Sequence, residues 1–184
     1  MLEIKVIGLG DGGVSALDYL IAQKLKGIAF IAANTGDLAS TRAHVRILLG
    51  EHSAGGSPGE GERSAEAHAG EIAAALSDAE RVVLLAALGG GTGTGAAPLI
   101  ARSARERGAA VTAVVSRPFT FEGDTRQRIA HAGLEQLEVW VDDLTVIVND
   151  DLLRFVDQSD IPSLKVLFDL ATRALAWKAL ARIL

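Results

Sequence analysis

Six short apolar runs, separated by stretches with helical spacing, constrain this 184-residue chain more than any other feature. The runs are 2–7, 28–33, 45–49, 81–87, 109–116 and 144–148. RVVLLAA at 81–87 is apolar without alternation, which suits a strand buried on both faces. Between the runs, apolar residues recur at helical intervals. These are Val14, Leu17, Ile21 and Leu25, then Leu99, Ile100 and Ala104, then Ile129, Gly133, Leu137 and Trp140. Ala65, Ala69, Ile72 and Leu76 share one face of a further single helix, after a Gly/Ser/Pro loop at 53–61. From about Pro162 one long helix runs to the end. This alternation predicts an α/β fold, a Rossmann-like parallel sheet with helices on both faces. Residues 1–184 read as a single domain, with about 160–184 forming the long last helix.

Composition narrows the function. The formal net charge of −5 argues against general nucleic-acid binding, which needs a basic face. There is no cysteine, which excludes a disulfide framework, a thiolate zinc site and a cysteine nucleophile. MLEIKVIGLG is no secretory signal, because Glu3 and Lys5 interrupt its apolar run. No uncharged stretch is long enough to span a bilayer; Lys165, Asp169, Arg173, Lys178 and Arg182 punctuate the apolar C-terminal segment. The expectation is a cytoplasmic protein with neither a nucleic-acid nor a membrane partner.

Two glycine-rich stretches each follow a strand and open a helix. They are Gly8-Leu9-Gly10-Asp11-Gly12-Gly13 and Gly89-Gly90-Gly91-Thr92-Gly93-Thr94-Gly95. In a parallel sheet both leave the carboxyl edge, where ligands bind. Glycine lets backbone N–H groups face an anion with no Cβ in the way. A helix N-terminus adds partial positive charge, and threonine hydroxyls add donors. The second stretch therefore reads as a phosphate cradle; its blander reading is a flexible turn or close packing of helix on sheet. The first matches G-x-G-x-x-G, the dinucleotide fingerprint. A Rossmann site also wants a carboxylate near the end of the second strand, where Ala33, Asn34 and Thr35 stand. A dinucleotide oxidoreductase thus rests on residues 8–13 alone. No G-K-[S/T] occurs, so a P-loop is excluded.

Other patterns carry less. Gly55-Gly56-Ser57-Pro58-Gly59 fits G-x-S-x-G, but a nucleophile elbow needs a tight strand-to-helix turn. His44, His52, His68 and His131 show no paired ligand spacing and read as solvated or packed. Asp142-Asp143 and Asp150-Asp151 flank the sixth strand as polar strand ends. No catalytic residue and no metal ligand is assigned.

GGGTGTGAAP at 89–98 resembles the signature of the tubulin/FtsZ GTPase family. RPFTFEG at 117–123 is similar to the segment that follows it in the FtsZ branch. IKVIGLG (4–10), IAANT (31–35), AGGSPGEG (54–61) and VNDDLL (148–153) fall in the matching order. The likeness runs over nearly the whole chain. It implies GTP or GDP across the strand ends, with Mg²⁺, in a relative of the bacterial cell-division cytoskeletal GTPases. On this resemblance the nucleotide-binding residues are Gly10, Asp11, Gly12, Gly13 and Ser15 in the first stretch. In the second they are Gly89, Gly90, Gly91, Thr92, Gly93 and Thr94. Glu122 and Arg126 match a pair that contacts ribose and nucleotide, and Asn149 matches a residue that hydrogen-bonds guanine. Carboxylates suit ribose hydroxyls and amides suit base edges.

The sequence also departs from the family. Asp11 stands where glycine is usual; a carboxylate there repels phosphate unless a cation or an outward rotamer relieves it. Val14 and Ser15 replace common asparagines, Gly36 replaces an aspartate, and Ala87 replaces a glycine. A guanine-reading aspartate of the last helix aligns with Ala171 or Thr172, with Asp169 half a turn away. Its loss weakens base selection, because charge-assisted bonds are the strong ones. In the family a central helix leads into an acidic loop that acts on the next subunit's nucleotide, then into a second domain. This sequence stops at Leu184. The expectations are little GTP hydrolysis alone and an uncovered apolar face on the last helix, since Leu167, Leu170, Trp177 and Leu180 cannot all face one sheet. That face is expected to support self-association or binding to a complete relative. The rival expectation is a scaffold that has lost nucleotide binding and acts through protein–protein contacts.

Overall fold

The computed structural model describes residues 3–50, 52–156 and 162–184. Leu2 of the first expected strand and residues 160 and 161 of the last expected helix lie outside them. Among the described residues there are six strands: β1 (Ile4–Leu9), β2 (Ile28–Asn34), β3 (Val45–Leu48), β4 (Arg81–Ala87), β5 (Ala110–Arg117) and β6 (Asp143–Val148). The helices are α1 (Gly10–Ile21), α2 (Pro58–Ala67), α3 (Ala69–Ala75), α4 (Gly91–Glu106), α5 (Asp124–Glu138) and α6 (Leu164–Ile183). Short 3₁₀ turns cover Thr120–Glu122 and Asn149–Phe155.

All neighbouring strands are parallel, in the order β3-β2-β1-β4-β5-β6. This is the expected α/β architecture. Ile7, Leu9 and Leu84 pack against α2, α3, α4 and α5, whereas Val6, Val83 and Leu85 pack against α1 and α6. All six of these side chains are fully buried. Each contributes about 1.5–3 kcal/mol relative to exposure, which is why an unalternating apolar run folds as a central strand.

Several boundaries differ from expectation for local reasons. The glycine stretches are not loops through their whole length. Gly10 and Gly91 are the first residues of α1 and α4. The 53–61 loop ends early, because Pro58 opens α2 and Ser57 Oγ accepts from Glu60 N at 3.4 Å. Ser57 is thus a helix cap. The single helix expected over 65–76 is two, parted at His68. His68 Nδ1 lies 2.9 Å from Ser64 O, the carbonyl that a continuing α-helix would give to the His68 N–H. That N–H bonds Ala65 O instead. Leu25 and Trp140 fall beyond α1 and α5.

α6 is capped by Ser163, whose side chain accepts from Val166 N. It buries Leu167, Ala171, Leu175, Ala176, Ala179 and Ile183. Its opposite side exposes Val166 by 52% and Trp177 by 60%, while Leu164 and Phe168, near the helix start on the packed side, are 60% and 42% exposed. Leu170 and Leu180 lie half-buried between the two sides. No helix among the described residues is long and apolar enough to cross a membrane.

Candidate functional site

The chain steps from β1 to β2 to β3 in one direction, then returns and adds β4, β5 and β6 on the other side of β1. This reversal opens a crevice at the carboxyl ends of β1 and β4. Leu9 pairs with Ala86 across those strands, so α1 and α4 start side by side. A cleft of about 520 Å³ lies there.

The helix starts are built for close approach. Gly10 enters α1 at φ +65°, a backbone region that disfavours side chains. A Cβ on it would stand 3.1 Å from Gly93 N. On Gly12 a Cβ would stand 2.6 Å from Ala87 Cβ. Neither α1 nor α4 has a side-chain cap, so their first-turn N–H groups remain without side-chain acceptors. Two such termini at one cleft suit an anion.

The seven-residue stretch divides between two purposes. Gly90 lines the cleft, and a Cβ there would meet no protein atom within 4 Å. A Cβ on Gly91 would meet Ser57 O at 2.8 Å, on Gly93 it would meet Ala87 O at 2.6 Å, and on Gly95 it would strike Pro58 O. Helix packing therefore explains those three, and the open cleft-facing position is Gly90.

Of the residues singled out from the sequence, Gly10, Asp11, Gly12, Ser15, Gly90, Gly91, Thr92, Gly93, Glu122, Arg126 and Asn149 all line this cleft. Gly13, Gly89 and Thr94 do not. Gly13 lies against Leu85 O, where a Cβ would not fit. The Gly89 N–H donates to Thr94 Oγ1 at 2.9 Å. These three shape the cradle from behind.

The polar walls are well defined. Asp11 Oδ1 accepts from Asn34 Nδ2 at 2.7 Å. Thr92 Oγ1 lies 2.6 Å from Thr35 Oγ1, which also accepts from Ala54 N at 3.0 Å. Glu122 Oε1 accepts from Phe119 N at 2.9 Å, and its Oε2 meets Arg126 Nη1 at 3.2 Å. Asn149, at the end of β6, is 5% exposed, and its Oδ1 has no hydrogen-bond partner among the described residues. A buried unpaired acceptor on a cleft wall calls for a donor from outside the chain. On α6 the lining residues are Phe168, Ala171, Thr172 and Leu175. Asp169 pairs instead with Arg173 at 2.8 Å. The cleft thus offers anion donors at one end and a buried amide acceptor elsewhere on its wall.

Residues 53–56 and Asn34 also line the cleft, and sequence reading did not assign them to the site. Their signal was position: both segments sit near strand ends on the same sheet edge, but neither carries a formal charge. Several of the residues set aside have structural partners. Phe30 N donates to His44 Nδ1 at 3.0 Å. Asp142 pairs with Arg105 and Asp143 with Arg182, and Asp150 accepts from Thr120 N.

A family model described as the tubulin/FtsZ family, GTPase domain, matches residues 3–157. The structure of an FtsZ dimer from M. jannaschii is similar with a TM-score of 0.91 and 38% identity. The match covers 96% of this chain and 52% of that one, so this chain spans about half the FtsZ length. CetZ2 from Haloferax volcanii, a GTPγS-bound protofilament, shares the fold at 24% identity and a TM-score of 0.83, over 98% of this chain and 58% of its own. CetZ1 from the same organism, a GDP-bound monomer, does so at 23% and 0.82, over 95% and 58%. With the fold, the cleft and the family match in agreement, the chain belongs to the tubulin/FtsZ family, through its GTPase domain.

Proposed function

We propose that this chain binds GTP or GDP in the cleft between β1 and β4, with Mg²⁺ accompanying GTP. The observation that carries this is the pair of uncapped helix N-termini at one cleft. Backbone donors around Gly10, Gly12, Gly90, Gly91 and Thr92 take the phosphates. Glu122 and Arg126 contact ribose and nucleotide. Asn149 takes a donor from the base, which guanine supplies on its Watson–Crick edge. The nucleotide-bound CetZ structures support the same ligand class. A role in a cytoskeletal assembly of the FtsZ kind, in the cytoplasm, belongs to the same proposal.

On these residues alone hydrolysis is slow. Among the described residues, the two carboxylates lining the cleft are engaged, Asp11 by Asn34 and Glu122 by Phe119 N and Arg126. Glu122 is held at both oxygens and Asp11 at one, so a single carboxylate oxygen is left to orient an attacking water, and that positioning is much of phosphoryl-transfer catalysis. Phosphate release at the rate of a full-length relative would overturn this. The outward apolar residues of α6 support association with a second copy or a complete relative.

Asp11 favours a second reading, a scaffold that no longer takes nucleotide and works through protein contacts. One experiment separates the two. The purified protein is denatured and any released nucleotide identified; the stripped protein is then titrated with GTP, GDP and ATP, with and without Mg²⁺. Bound guanine nucleotide with weaker ATP binding is expected. No nucleotide and no binding would establish the scaffold.

A further inference from the structure

The charged side chains lining the cleft among the described residues are Asp11, Glu122 and Arg126, a net of one negative charge. Arg126 is already paired with Glu122. A site for a polyanion is thus itself negative, and the uncompensated charge is Asp11, in the first turn of α1. In sequence it stands between Gly10, which faces Gly93 N at the start of α4, and Gly12. Asp11 is an exposed residue, yet its carboxylate does not swing free, because Asn34 tethers it to the cleft wall. Asn34 holds its Oδ1 at 2.7 Å, and Asn34 is itself 4% exposed at the end of β2. The amide is neutral, so it orients the carboxylate without cancelling its charge.

We propose that Asp11 makes nucleotide binding in this cleft conditional on a divalent cation, for diphosphates as well as triphosphates, with the Asp11 carboxylate as one ligand of the ion. This rests on the nucleotide reading above. The donor set fits a hard cation. Asp11 offers a carboxylate oxygen that Asn34 leaves unused, and nothing at this end of the cleft is a sulfur or imidazole ligand. Among the described residues no three His, Asp or Glu side chains gather to hold an ion. The protein alone therefore holds it weakly, and the ion shares its ligands with phosphate oxygens, the usual arrangement for Mg²⁺. Asp11 then favours the cation–nucleotide complex and repels the bare nucleotide.

Calorimetric titration of GDP and GTP, with Mg²⁺ and with chelator, tests this on the stripped wild-type protein and on Asp11→Asn. The substitution keeps an oxygen for Asn34 and removes the charge. Wild-type affinity is expected to fall about tenfold or more in chelator. Asp11→Asn is expected to bind bare nucleotide more tightly than wild type and to lose most of its cation dependence. Mn²⁺ with GDP gives a second readout, because the bound-ion resonance signal should weaken in the variant. Equal wild-type affinity with and without cation overturns the proposal. So does tighter binding by Asp11→Asn with Mg²⁺ present, which would make Asp11 an obstacle and not a ligand. No binding by either protein under any condition overturns the nucleotide reading together with this one.

Discussion

Gly90 and Gly95 stand five residues apart at one helix start and answer to different constraints. A Cβ on Gly95 would strike Pro58 O and approach Glu62 N to 2.8 Å, both backbone atoms that cannot step aside. Gly95→Ala is expected to lower stability by about 1–3 kcal/mol or more, read by urea denaturation. At Gly90 the new methyl would meet no protein atom, and the backbone is extended at φ −100°. Gly90→Ala should cost under about 1 kcal/mol, as a weaker N-cap, yet weaken nucleotide binding because its methyl enters the cleft. Unchanged affinity in Gly90→Ala would show that no ligand approaches this turn. Asn149→Ala is expected to weaken guanine nucleotide binding by about 1 kcal/mol, the worth of one hydrogen bond. ATP binding should fall less, and an equal loss for both bases would remove Asn149 from base recognition.

α6 shows how far element-level pattern goes. Its apolar residues occupy both sides, so periodicity correctly implies an uncovered face but does not say which side packs. The fold chose Leu175, Ala176 and Ala179 for the core, and left Trp177 60% exposed. Leu175→Ala is therefore expected to cost about 2–5 kcal/mol. Trp177→Ala should change the stability of the isolated chain by under about 1 kcal/mol; a loss equal to that of Leu175→Ala would mean that Trp177 is covered in solution. Lys5 makes the complementary point. In the sequence it interrupts an apolar strand. In the fold it is 8% exposed, and its Nζ donates to Ala75 O at 3.1 Å and to Ser77 O. It thus closes the C-terminus of α3, where a cation is favoured. Nothing local in LEIKVI foretells a partner seventy residues away.

At the scale of the molecule, the cleft is walled by the ends of β1, β2 and β4, by the β6 end and by α6. A ligand there ties both halves of the sheet together and stabilises the whole fold. Nucleotide at about 100 times its dissociation constant adds about 2.7 kcal/mol. For a chain of this size that raises the melting temperature by roughly 5–10 °C. Differential scanning fluorimetry with GDP and Mg²⁺ checks this, and a flat response would count against any binding in the cleft.

The sequence by itself determined the α/β class, the strands and the two glycine stretches at one sheet edge. These signals are local. An unalternating apolar run must be buried on both faces, and glycines after a strand mark close approach whatever the partner. The motif order also carried the family. Tertiary structure alone decided which glycines serve packing and which open onto the cleft, because that depends on Pro58, Ser57 and Ala87 arriving from other segments. It also brought Asn34 and residues 53–56 to the site. They carry no formal charge, and although IAANT and AGGSPGEG belong to the matching order, only the reversal of strand order between β1 and β4 gathers them around one cleft. Asp11 was legible as an anomaly; its tether to Asn34 required the ends of two neighbouring strands to be set side by side.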